Sequence, residues 1–73
     1  MKNTYFVQWI NGNGVKQEPV LANRSRSFEQ AAAWAAKWDV PNWATSKTKF
    51  IIWQGRPGPT TEYLRFTLGN VQW

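Results

Sequence analysis

The chain has neither cysteine nor histidine among its 73 residues. That excludes disulfide stapling, thiolate chemistry and an ordinary zinc site. It also removes the side chains most often used as nucleophile and general base near neutral pH. Acids are scarce too: Glu18, Glu29, Asp39 and Glu62 face nine lysines and arginines, for a net charge of +5. The four carboxylates fall in separate stretches, so neither a catalytic triad nor a metal cluster can be assembled from them. The chain is therefore expected to be no enzyme and to require no metal and no cofactor. Asn11-Gly12-Asn13-Gly14 lacks the lysine and following helix of a phosphate cradle. No apolar run is long enough to span a bilayer, and the N-terminus has no apolar core or small-residue cleavage site of a secretory signal. The expectation is a soluble, cytoplasmic protein with no membrane partner.

Aromatic residues, by contrast, are plentiful: twelve, of which six are tryptophan. A single domain of residues 1–73 with no staples needs an efficient core. Burying every ring would leave several indole N–H groups in want of partners. The surplus rings point to a binding surface, and the excess of cations favours a polyanionic partner, either nucleic acid or an acidic protein surface.

Ser27 to Trp38 reads as the one helix. Ser27 is an N-cap whose hydroxyl can accept from the unpaired first-turn amides, and Gln30 can reach back to the Ser27 amide. Five alanines give high helix propensity. At 3.6 residues per turn Phe28, Ala31, Ala32, Ala35 and Trp38 share a stripe opposite Glu29, Ala33 and Lys37, with Trp34 on the flank. Pro41 forces Val40 out of helical geometry and ends the element.

Residues 4–10 read as a strand, Asn11 to Gly14 as a turn tolerant of positive φ, and Val15 to Ala22 as the returning strand. Pro19 cannot donate to a ladder, so that strand is expected at a sheet edge or broken there. Asn23 to Arg26 is a polar connection to the helix. Lys47 to Gln54 and Thr60 to Leu68 form a second hairpin around Gly55 to Pro59, and Val71 to Trp73 is a short terminal strand or tail. The result is a β-β-α-β-β chain of class α+β: one antiparallel sheet of about four strands with a helix on one face.

Alternation assigns Phe50, Ile52, Leu64, Phe66 and Leu68 to the face under the helix. Lys47, Lys49, Trp53, Tyr63 and Arg65 go to the other face. In the first strand either Tyr5, Val7 and Trp9 or Phe6, Gln8 and Ile10 can point inward; the first set is favoured because no polar residue interrupts it. Rings flanked by cations on an open sheet suit a single-strand binder, with bases stacking on Trp53 and Tyr63 and phosphates meeting Lys47, Lys49 and Arg65. Arg24 and Arg26, beside the helix N-terminus, are either two further phosphate contacts or a solvated connector. Arg56 tips a turn stiffened by two prolines, as a probing finger or simply a hairpin end. Trp43 is either a plug over the open end of the core or an exposed interface anchor, and Trp34 has the same two readings.

A Tyr5-Phe6-Val7 strand, a polar turn, a returning strand and Ser27-Phe28-Glu29-Gln30-Ala31 opening a short helix before a strong hairpin together resemble small phage-encoded proteins, anti-CRISPR inhibitors among them. That resemblance implies a compact basic or aromatic plug that blocks a host defence complex. The expected function is thus a non-enzymatic, phage-type inhibitor or regulator. It would dock on a host protein or nucleoprotein complex by occlusion, through Trp43, Trp53, Lys47, Lys49, Arg56 and Arg65. Direct binding of single-stranded nucleic acid by the sheet face is the alternative. A homodimer paired through a sheet edge would also occupy the spare apolar surface.

Overall fold

The computed structural model describes residues 2–71. Strand β1 (Asn3–Ile10) is followed by β2 (Val20–Ser25), helix α1 (Phe28–Trp38), β3 (Lys49–Trp53), β4 (Tyr63–Thr67) and a 3-10 turn at Leu68–Asn70. The strands form one sheet in the order β2-β1-β3-β4 with every neighbouring pair antiparallel. This is the expected α+β fold and β-β-α-β-β order. Because β1 opposes both its neighbours, β2 and β3 run in the same direction on either side of it, and α1 is the crossover that such a pair requires.

The odd residues of β1 are the buried set. Tyr5, Val7 and Trp9 are sealed together with Phe50 and Ile52 of β3 beneath Ala31, Ala32 and Ala35 of α1. Register places Trp9, Phe50 and Phe66 in one row across three strands. Their rings pack in sequence at centroid distances of 4.6 and 5.6 Å. Tyr5 meets Phe28 edge-on at 5.3 Å, which closes the core at the helix entry. Leu68 donates its amide to Thr48 and Gly69 donates to Ser46, at 2.8 Å each, tying the 3-10 turn to the loop before β3. A Cβ on Gly69 would lie 2.8 Å from the Ser46 carbonyl oxygen, so this close approach depends on glycine.

Several expectations need correction. The strand expected from Val15 to Ala22 begins only after Pro19, and Asn23, Arg24 and Ser25 belong to β2 rather than to a connector. Lys16 makes only an isolated bridge to Ile10. Pro19 does what its missing N–H dictates: pairing starts on its C-terminal side, and the strand lies at an edge. The Ser27 hydroxyl accepts from the Gln30 amide at 3.0 Å as expected, but Gln30 Oε1 accepts from the Arg26 amide at 2.7 Å instead of the Ser27 amide.

Trp38 does not lie on the buried stripe. That stripe is Ala31, Ala32, Ala35 and Ala36, and Trp38 is 67% exposed. At 3.6 residues per turn that stripe centres between Ala32 and Ala35, and Trp38 falls about 90° away from it, at the rim. Leu64 is exposed as well, because α1 lies nearest β2 and barely reaches β4 at the far edge. Phe66 and Leu68 are partly buried against the core, and so are Trp34 and Val71. The remainder of the expected terminal strand, Gln72 and Trp73, lies outside the described residues. Among the described residues no helix is long and apolar enough to cross a membrane.

Candidate nucleic-acid interface

The face of the sheet away from α1 is built from the even residues of β1 and the odd residues of β3 and β4. Three rows follow from the register. Leu21, Phe6, Trp53 and Tyr63 form one across all four strands; Gln8, Ile51 and Arg65 form the next; Ile10, Lys49 and Thr67 form the third. The first row is a strip of apolar and aromatic side chains about 14 Å wide, given strands roughly 4.8 Å apart. The next two rows bring Arg65 and then Lys49 beside it, each about 7 Å further along the strands.

The rings are held in place. The Trp53 and Tyr63 centroids lie 4.8 Å apart with planes inclined at 41°. Trp53 Nε1–H donates to Gln8 Oε1 at 3.2 Å, and Gln8 Nε2–H donates to the Gln17 carbonyl at 3.2 Å. This chain of bonds satisfies the indole polar group and fixes the ring without enclosing it. Trp53 is half-buried, while Tyr63 is 49% exposed. Ile51 is buried even though no helix covers this face. Its neighbours on this face are Gln8 and Arg65 in its own row and Lys49 and Trp53 in the rows on either side.

The structure divides the expected site. Lys49, Trp53, Tyr63 and Arg65 come together as described. Lys47 joins them at one end, where it shares with Lys49, Ile10 and Thr48 a hollow of about 340 Å³. It sits in a turn pinned by the Thr45 and Thr48 hydroxyls rather than in β3 itself. Arg56 lies near the opposite end of the strip, where it lines a hollow with Phe6, Glu18, Pro19 and Pro57. The turn that carries it needs glycine at Gly55, whose φ is +115°.

Arg24 approaches the strip from its other side, while Arg26 lies in the connection between β2 and α1. Arg24 pairs with Thr4, an even residue of β1, so the register puts this pair on the helix-free face one row beyond Leu21 and Phe6, at the other end of β1 from Lys49. It lines a cleft of about 570 Å³ between β2 and α1 with Lys2, Asn23, Gln30, Trp34 and Lys37. Sequence reasoning did not find this second meeting of cations and an indole. The i, i+3, i+4, i+7 spacing of Gln30, Ala33, Trp34 and Lys37 was the available signal. Trp43 is separate again. It is 45% exposed and shares a hollow with Trp9 and Trp38 beyond the C-terminal end of α1.

No three carboxylates, histidines or cysteines gather in a metal-binding group among the described residues. Compared with known proteins, the chain matches no family model, no curated protein and no solved structure.

Proposed function

We propose that the chain is a non-enzymatic binding protein whose helix-free sheet face takes single-stranded nucleic acid. In this reading it acts as a phage-type inhibitor or regulator by occluding a strand, free or within a host nucleoprotein complex. The observation that carries the reading is the Trp53–Tyr63 pair, fixed through Gln8 and adjoining Arg65 and Lys49 in successive rows. Bases stack on the exposed ring surfaces while the cations neutralise phosphates. Neither contact requires a particular base, so the binding is sequence-tolerant.

Titration of a labelled mixed-sequence oligonucleotide across a salt series tests this. Affinity should fall steeply with salt, and Lys49→Ala or Arg65→Ala should each lower the log–log slope by about 0.7. Trp53→Ala should cost about 1–3 kcal/mol of binding. Absence of binding at low salt would end this reading.

A second reading, docking on a host protein, is favoured by the placement of Trp38 and Trp43 on one exposed hollow. Exposed tryptophans supply much of the binding energy of protein interfaces. Capture of host proteins by the wild type and by Trp43→Ala tests it, and unchanged capture by the variant counts against it.

A further inference from the structure

The hollow beyond the end of α1, about 380 Å³ in volume, is lined by Trp9, Trp38 and Trp43, by Val20 and Val40, and by Glu18 and Asp39. Two of the four acids of a basic chain lie there and no lysine or arginine lines it, while Glu18 also borders the hollow that holds Arg56. Asp39 is the C-cap of α1, its amide donating to Ala35 at 2.9 Å. A carboxylate at that position adds to the negative end of the helix dipole, where a cation is the favourable charge. Two buried polar atoms at this hollow's residues have no hydrogen-bond partner: Trp9 Nε1, on a side chain only 4% exposed, and Asp39 Oδ2. A buried carboxylate oxygen calls for a donor and a buried indole N–H calls for an acceptor.

We infer that this hollow is a receptor for a basic side chain of a partner polypeptide, with the ammonium or guanidinium group meeting Asp39 and Glu18 between the Trp38 and Trp43 rings. The inference rests on the protein-docking reading and names the chemistry of that partner. Three comparisons decide the ligand class. An anion finds no cation in the lining. A hard metal ion would need more oxygen ligands than two carboxylates among indoles can offer. An apolar plug would leave the two carboxylates without a counter-charge. A lysine or arginine head group instead supplies the counter-charge that the two carboxylates lack, Glu18 being exposed and Asp39 half-buried at the hollow. The methylene stem lies against the ring walls, and the charge gains from the indole faces. Trp38 already carries one such contact, with Lys37 Nζ 5.1 Å from its centroid.

The test uses the indole N–H resonances in ¹H–¹⁵N spectra of the intact protein, one per tryptophan. N-acetyl-lysine-N-methylamide and its arginine counterpart are titrated alongside the norleucine isostere. The basic probes should move the Trp9, Trp38 and Trp43 signals saturably and leave Trp53 in place, with norleucine about tenfold weaker or more. Asp39→Asn should weaken the lysine probe about tenfold without changing the norleucine titration. Glu18→Gln, at an exposed residue, provides the same comparison should the Asp39 variant fold poorly. Equal affinity for lysine and norleucine overturns the inference, and so does a response confined to Trp53 or no response at all. If Trp43→Ala abolishes host-protein capture while the lysine probe fails to bind, docking stands and the basic-side-chain assignment falls. If the probe binds but no protein is captured, the assignment stands and the docking reading falls.

Discussion

On one face of the sheet Tyr5, Trp9 and Phe50 are sealed beneath alanines; on the other Phe6, Trp53 and Tyr63 meet one another and water. Both faces use rings, arranged in register across the strands. What differs is the covering. A helix with an alanine stripe lies flat and excludes water, so the rings below it contribute dispersion and burial to stability. Where nothing lies on top, the rings keep part of their surface open to solvent. Aromatic content alone therefore does not separate scaffold from site; the placement of one helix does.

The sharpest way to break this comparison is to truncate one ring on each face. Phe50→Ala should cost about 3–5 kcal/mol. Tyr63→Ala, at an exposed edge position, should cost about 1 kcal/mol or less. Urea unfolding measures both, and similar losses would show that the open face is part of the core. A smaller effect is expected from enlarging the helix stripe: Ala35→Leu should destabilise by about 1–3 kcal/mol through overpacking, whereas Ala33→Leu on the half-exposed side should change little. Next, Gln8→Leu should remove the acceptor of the Trp53 indole, lowering stability by about 1 kcal/mol. It should also weaken oligonucleotide binding and shift the Trp53 indole resonance while leaving that of Trp9 unmoved. Smallest of all, Lys49→Ala should alter stability by no more than about 0.5 kcal/mol while still lowering the salt dependence of binding. A matching loss of stability would assign Lys49 to the fold rather than to the interface.

Much of this fold was legible from local chemistry. Ser27 announces the helix because capping acts within one turn, and Pro19 announces an edge because it lacks a donor. The inward set of β1 was readable because Tyr5, Val7 and Trp9 form an unbroken apolar alternation. On the open face, alternation within β3 and β4 brought Lys49, Trp53, Tyr63 and Arg65 together correctly. Other residues were misread for identifiable reasons. Leu64 has the right parity for the core but lies beyond the helix footprint, and Trp38 sits at the rim of the buried helical stripe because that stripe is turned toward Ala36. Gln30 bonds one residue earlier than the simplest capping pattern, which is a matter of how the chain arrives from β2.

Sequence by itself determined the element types, the alternation that sorts each strand into two faces, and the shortage of catalytic groups, because capping, proline geometry and side-chain period act over a few residues. Tertiary structure alone decided which rings stay exposed, that Ile51 is buried on the open side, and that Trp9, Trp38, Trp43, Glu18 and Asp39 surround one hollow. Those outcomes depend on contacts between segments distant along the chain, and on how closely an alanine-lined helix can settle on a twisted sheet.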